Sequence, residues 1–207
     1  MKTDNLSRKE REKSRQRQEM IDTAMLLFSE KGYHNVSVQE IAEKAEFAIG
    51  TIYKFFPTKA DLYKTIVLQK FEAFDEAFEQ AIHSTDDEVE KLRRYIQTKA
   101  ESVRSNLAFV RLFVAESRGI SFNIETGLVG MVQDRYYNFL KRLALIIESG
   151  IKSKRFKKIA PSFTLAAALD SVVNTFLLLW LEAPETHPFP ENPDEILDIF
   201  FKGLLNG

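Results

Sequence analysis

The 207-residue chain has no cysteine. That excludes disulfides, thiolate zinc sites and cysteine nucleophiles, and makes a reducing cytoplasm the expected compartment. Histidine is scarce: His34, His83 and His187 are far apart, with no partner at helical spacing, so no metal site is expected. The sequence carries no nucleophile elbow, phosphate-binding glycine loop or metal-ligand cluster. The chain is therefore expected not to be an enzyme and to need no cofactor. The first residues are polar and charged, so no signal peptide is expected. A clean apolar run of about 18 residues is also missing. The most apolar stretch, residues 165–181, is interrupted by Asp170 and Asn174 and closed by Glu182, and reads as a buried helix rather than a membrane span. Neither sign of charge is in much excess. The net charge is −1, split as +2 over residues 1–64 and −3 over residues 65–207, which by itself does not point to DNA.

Apolar residues at helical spacing are abundant, and 17 of them are Phe, enough for large apolar interfaces, a pocket, or both. Residues 1–17 form a basic tail with Lys2, Arg8, Lys9, Arg11, Lys13, Arg15 and Arg17, either merely solvated or lying near phosphates. A first helix is predicted from Gln18, with Ile21, Ala24, Met25 and Phe28 on one face and Gly32 as its cap. Ser37 and Glu40 open a second helix as a capping box. A third spans Ala48–Phe55, and Thr58 starts a long fourth helix to residue 83. Further helices are predicted over Asp86–Ser105, Leu107–Arg118, Ile124–Ser149, Pro161–Glu182 and Asp194–Leu205, with Gly119 and Gly150 as stops. No stretch alternates as a strand. The fold class is all-α, with about nine helices.

Two short helices joined by a tight turn, with small Ala42 at their contact and Ile52 turned inward, form a helix-turn-helix pattern, whose second helix enters the DNA major groove. The pieces Ile21-x-x-Ala24-x-x-Leu27-Phe28, Lys31-Gly32-Tyr33, Ser37-Val38-x-x-Ile41-Ala42 and Gly50-Thr51-Ile52-Tyr53-x-Phe55-Phe56-Pro57-x-Lys59-x-x-Leu62 resemble the head of the tetracycline-repressor (TetR/AcrR) family. The resemblance covers about a quarter of the chain. It implies that Ser37, Thr51, Tyr53 and Lys59 contact phosphates, and that Gln39, Ile49, Gly50 and Lys54 face base edges. These roles suit the chemistry: hydroxyls and Lys hold phosphates, Gln pairs with adenine, Lys reaches guanine and Ile meets a thymine methyl. Two positions depart from the family. Glu46 stands where Gly is usual, which calls for a positive φ, and Ala48 stands where a capping residue is common.

The resemblance further implies a basic arm (1–17), a helix-turn-helix domain (18–64) and a helical-bundle domain for ligand binding and dimerisation (65–207). The last two long helices would pair across a homodimer, and two heads about 34 Å apart would meet a near-palindromic double-stranded operator. The expected function is a sequence-specific DNA-binding transcriptional regulator, a repressor released by a small hydrophobic effector that moves the fourth helix. The alternative is a regulator without an effector, controlled by a partner protein or by abundance. No membrane partner is expected. Candidate pocket residues are Phe71, Phe74, Phe78, Tyr95, Val103, Val110, Phe113, Tyr136, Leu140, Asn174, Phe176, Leu177 and Trp180. Asn174 is expected to orient the ligand, and strongly charged ligands are disfavoured because little in this set would pair their charge.

Overall fold

The computed structural model describes residues 7–118 and 128–202. Among the described residues there are nine helices and no strand: α1 (Arg8–Lys31), α2 (Val38–Lys44), α3 (Ile49–Phe55), α4 (Lys59–His83), α5 (Glu88–Ser105), α6 (Leu107–Arg118), α7 (Leu128–Lys152), α8 (Ser162–Glu182) and α9 (Asp194–Lys202). The chain divides into two compact units. The first holds Met1–Lys70 and Ala108–Val129, the second Phe71–Leu107 and Gly130–Gly207. Helix α4 contributes to both, and α6 belongs to the first. The expected Gly119 stop, the start of the seventh helix at Ile124 and the end of the last at Leu205 lie outside the described residues.

In the first unit, α1 packs on α2 and α2 on α3. Met20, Ile21, Ala24, Leu27 and Phe28 of α1 meet Ile41 and Ala42 of α2 and Ile52 of α3 in the core. Ala42 is buried where a longer side chain would hold the helices apart. Gly32 ends α1 at φ 81°, its N–H donating to the Phe28 carbonyl. The basic segment differs from its sequence reading. Helix α1 does not begin at Gln18 but at Arg8, because Ser7 and Glu10 complete a capping box that the apolar pattern could not reveal.

The turn after α2 is a Schellman motif. Phe47 N donates to Ala42 O at 2.9 Å and Glu46 N to Glu43 O at 3.2 Å, with Glu46 at φ 58°. Ala48 precedes α3 in extended geometry with no side-chain cap. Both expectations for this turn therefore hold.

In the second unit, α5, α8 and α9 pack together, and Leu92, Tyr95, Ile96, Phe139, Leu143, Ala166, Leu169, Val173 and Ile196 form one continuous core with the second half of α4 and with α7. Arg142 of α7 pairs with Asp75 and Glu79 of α4 while its guanidinium covers the Phe78 ring. Gly150 is not the stop that its position in the sequence indicates. It lies inside α7, fully buried, and a Cβ there would meet the Phe156 ring at 2.2 Å. The helix ends at Lys152 in a second Schellman turn, with Lys154 at φ 62° and Arg155 N donating to Gly150 O at 2.8 Å. Helix α8 is long and apolar enough to cross a membrane by length and composition. It is buried on one face only, through Leu165, Ala166, Leu169, Asp170, Val173 and Leu177.

Left-handed geometry costs a non-glycine residue about 1 kcal/mol, so Glu46→Gly is expected to raise the stability of the head by about 0.5–1 kcal/mol, and Ala48→Ser by a similar amount through capping. Gly150→Ala is expected to destabilise by about 1–3 kcal/mol through overpacking against Phe156. Urea denaturation of the three variants checks all three signs.

Candidate functional site

The two short helices are too small to stand alone, so the surface they present is fixed by what they bury. Ile52 is fully buried and anchors α3 against the core, a contribution of about 1.5–3 kcal/mol. That anchor turns the opposite face outward: Ile49, Gly50, Tyr53 and Lys54 are all exposed, Ile49 by 43% and Tyr53 by 47%. A large apolar and a large aromatic side chain left in water on one short helix mark a binding face rather than a packing face. Nothing lies within 4 Å of the place a Cβ would take on Gly50, so close approach of a bulky partner is open there. Ser37 is exposed at the start of α2, its Oγ accepting from Glu40 N at 3.1 Å. Gln39, one turn along, is exposed, with its amide nitrogen donating to Glu43 Oε1 at 3.1 Å, which holds the group in one orientation. Thr51 is half-buried on α3, its N–H donating to Ala48 O at 2.7 Å. The structure thus places six of the eight residues expected at DNA on α2 and α3, with Ser37 at the N-cap of α2.

Lys59, the eighth, has work inside the protein. Its Nζ donates to the carbonyls of Tyr33 and Val36, both at 2.9 Å, and lies 4.4 Å from the centre of the Tyr33 ring. Partial burial pulls the ammonium below its ordinary value, against the opposing charge of Glu116. Tyr33 and Tyr63 pack nearby with tilted rings, centroids 5.0 Å apart, and burial pushes both phenols up. Lys59 therefore ties the first turn of α4 to the segment that precedes α2, and two of its three N–H donors are used in doing so.

The candidate pocket residues do not form one group. Val110 and Phe113 belong to the first unit, the rest to the second. Phe78, Tyr95, Leu140 and Leu177 are buried in the continuous core, while Phe74, Val103, Phe176 and Trp180 pack partly buried against it. Phe71 is half-buried on α4. An open depression of about 350 Å³ is lined by Lys158, Ile159, Ala160 and Pro161, none of them among the thirteen.

Within the second unit, the polar members of the set converge on a residue that the sequence reading treated only as an interruption. The Asp170 side chain is fully buried on α8. Its Oδ1 accepts from Tyr95 Oη of α5 at 2.6 Å, and its Oδ2 accepts from Tyr136 Oη of α7 at 2.7 Å and from Asn174 Nδ2 at 2.8 Å. Lys99 of α5 completes the group as an ion pair to Oδ1, its ammonium 5.6 Å from the ring centres of Tyr95 and Phe139. The four acceptor sites of the carboxylate are filled. Burial pushes the Asp170 carboxyl up, but Lys99 and the two tyrosine hydroxyls outweigh it and hold the group below the ordinary carboxylate range. At Lys99 burial prevails over the carboxylate, and its pKa is pulled down. The favourable coupling is therefore best seen at Asp170, where four donors replace water, and less at an ammonium that exchanged water for one oxygen and two ring faces. The interior holds a charge pair, Lys99 and Asp170, outside the set of candidate pocket residues, and Asn174 donates its amide nitrogen to Asp170. The one available signal was a lone acid in an apolar helix with no base one turn away, which requires a partner from another helix. Lys99 lies among many charges on α5 and could not be singled out.

Lys59→Ala is expected to lower stability by about 1.5–3 kcal/mol, because two carbonyls lose a charged donor, and to weaken DNA binding as well. An unchanged denaturation midpoint would show the two hydrogen bonds to be without weight. Asp170→Asn leaves the Lys99 ammonium buried and unpaired, at a cost of about 3–5 kcal/mol, and Lys99→Met/Asp170→Asn is expected to recover part of that loss. A depressed carboxyl adds stability that is complete above the unfolded value of about 3.9 and is lost as pH falls through the lower folded value. The gap in melting temperature between wild type and Asp170→Asn is thus expected to be constant near neutrality and to close below about pH 4.

Residues 20–66 match the model of the family "Bacterial regulatory proteins, tetR family". Over 191 residues the chain is 25% identical to the "Fatty acid metabolism regulator protein" of Bacillus subtilis, covering 91% of this chain and 95% of that one. A shorter stretch of 59 residues, 28% of each chain, is 36% identical to the "HTH-type transcriptional repressor KstR" of Rhodococcus jostii. The fold is shared with the transcriptional regulator FadR of Bacillus subtilis, solved in complex with stearoyl-CoA, at a TM-score of 0.78 and 23% identity over 91% of this chain and 99% of that one. With the helix-turn-helix formed as above, residues 20–66 carry the tetR-type head, and with likeness to a regulator running nearly end to end the chain is a DNA-binding transcriptional regulator.

Proposed function

We propose that the protein is a homodimeric repressor that occupies a near-palindromic operator and leaves it when a hydrophobic effector with an acyl chain binds. The exposed face of α3 carries the DNA half of this reading: Gln39, Ile49, Gly50 and Lys54 read bases, and Ser37, Thr51, Tyr53 and Lys59 hold phosphates. The effector half rests on the likeness to the Bacillus subtilis fatty acid regulator along the chain, together with the phenylalanine-rich second unit. Residues 18–64 serve as the DNA-binding domain, and residues 65–207 as the regulatory and dimerisation domain, in the cytoplasm and without enzymatic activity.

Dimerisation is supported by α8 and α9. Leu179 is exposed by 40%, Ile199 by 53% and Phe201 by 42%, and the outer face of α8 carries no charge between Ser162 and Leu181. Apolar faces of two helices left in water favour pairing with the same faces of a second copy. The effector acts by preferring the state in which the heads no longer fit successive major grooves. It shifts the equilibrium only as far as its affinities for the two states differ.

Light scattering is expected to give a dimer at micromolar concentration, and Leu179→Glu to weaken it by about 2 kcal/mol or more. DNA selected from a random pool is expected to be near-palindromic. Stearoyl-CoA is expected to release that DNA and to change the fluorescence of Trp180, which packs against Phe189 with ring centroids 6.3 Å apart. Binding of the selected duplex that no long-chain acyl compound alters would favour the reading without an effector.

A further inference from the structure

The first two turns of α1 lie outside the core of the head. Every residue from Arg8 to Arg15 is exposed. The segment is nevertheless helical, continuous with the packed half of α1 and closed by the box in which Ser7 N donates to Glu10 Oε2 at 2.8 Å and Glu10 N to Ser7 Oγ at 3.3 Å. Residues 8–17 hold six cations and two acids. Both acids are engaged, Glu10 in the cap and Glu12 with Arg15, which also bonds to Glu19. Lys9, Arg11, Lys13 and Arg17 make no ion pair among the described residues.

Helical spacing places Lys9, Lys13 and Arg17 on one face, at i, i+4 and i+8. The structure shows where that face points at its inner end. The Arg17 guanidinium lies 5.1 Å from the centre of the Phe56 ring, and Lys13 Nζ lies 5.9 Å from that of Phe55. Phe55 is the last residue of α3 and adjoins exposed Lys54. The stripe thus starts at the exposed end of the recognition helix, and Lys9 continues it about 6 Å beyond Lys13.

We propose that the stripe Lys9–Lys13, carried on the helical stem of residues 8–17, is a second DNA contact that binds backbone phosphates beside the groove α3 enters. The inference rests on the DNA-binding reading of α3 and extends its footprint. The stem is already ordered and held at its base by two aromatic rings, so it gains the phosphate contacts without the ordering cost of a flexible arm. Lys on phosphate carries no sequence information, so the stem adds affinity and salt sensitivity but no base preference. Arg8 and Arg11 lie on another face and contribute less.

The test compares Lys9→Gln/Lys13→Gln with Arg8→Gln/Arg11→Gln in the full chain, on a duplex selected with the wild-type protein. Both variants remove two charges and keep a good helix former at each position. The slope of log affinity against log salt is expected to become shallower by about 1.8 for the first, at about 0.9 per phosphate contact, and by less than half of that for the second. Lys9→Gln alone, which leaves the Phe55 contact intact, is expected to lose about 0.9. The ranking of point-substituted operators is expected to be unchanged. No change of slope in Lys9→Gln/Lys13→Gln overturns the proposal, and so does an equal loss in both double variants, which would mark an effect of net charge alone. A wild-type protein that binds no duplex at any salt would instead count against the DNA-binding reading itself.

Discussion

The geometry of the DNA-facing surface depends on one ammonium group. Helices α2 and α3 have seven residues each, too few to hold a shape by backbone hydrogen bonding alone. Their placement comes from the helices on either side, and Lys59 joins those sides by bonding the carbonyls of Tyr33 and Val36 from the first turn of α4. Both carbonyls belong to the short link between α1 and α2, which has no helix to satisfy them. The same nitrogen sits over the Tyr33 ring, and that ring packs on Phe28 and Tyr63. A charge that a DNA-binding head could use on phosphate is thus largely committed to holding the head together. Only the third N–H is left for another partner, so in the proposed binding mode phosphate contact and stability are linked at this residue.

The second unit solves a similar problem in the opposite medium. Three helices bring Tyr95, Lys99, Tyr136, Asp170 and Asn174 to one point inside an apolar core. Replacing such a group with well-packed apolar residues would often be neutral or stabilising. Its value therefore lies in geometry. An apolar contact tolerates sliding, whereas a carboxylate with all four acceptor sites filled fixes the mutual positions of α5, α7 and α8. A domain that must hold discrete arrangements, rather than a continuum of them, gains from contacts that are either made or broken.

How far the sequence foretold these features follows from the range of the forces involved. The nine helices were legible, because the apolar period and the caps at Gly32, Ser37 and Thr58 are local. The strain at Glu46 was legible only through the family resemblance, which places Gly at that position, and the Schellman turn gives the physical reason for it. The exposed face of α3 followed from placing Ile52 inward. What escaped was non-local or chemically ambiguous. Gly150 read as a stop because nothing nearby shows that Phe156 folds back onto it. Asp170 read as an interruption because three of its four partners, Tyr95, Lys99 and Tyr136, lie 34 to 75 positions away in the chain. The start of α1 at Arg8 was hidden because the stem has no apolar face, and periodicity is silent where nothing is buried.

The proposed contact of that stem would also let a chain of net charge −1 serve a polyanion. Coulomb forces at physiological salt reach about 8 Å, so the sum over the whole chain matters less than the charges within one or two turns of the contact. Most of the acids in the head are taken up by local partners: Glu10 by Ser7, Glu12 and Glu19 by Arg15, Glu40 by Lys31, Glu43 by Gln39. These pairings lower the repulsion a phosphate would meet and leave Arg8, Lys9, Arg11, Lys13, Arg17, Lys44 and Lys54 as head cations without an ion pair among the described residues. Composition counts every charge equally, but a phosphate at the surface responds to the unpaired ones within its reach, and in this head most of those lie along α1, with Lys44 at the end of α2 and Lys54 near the end of α3.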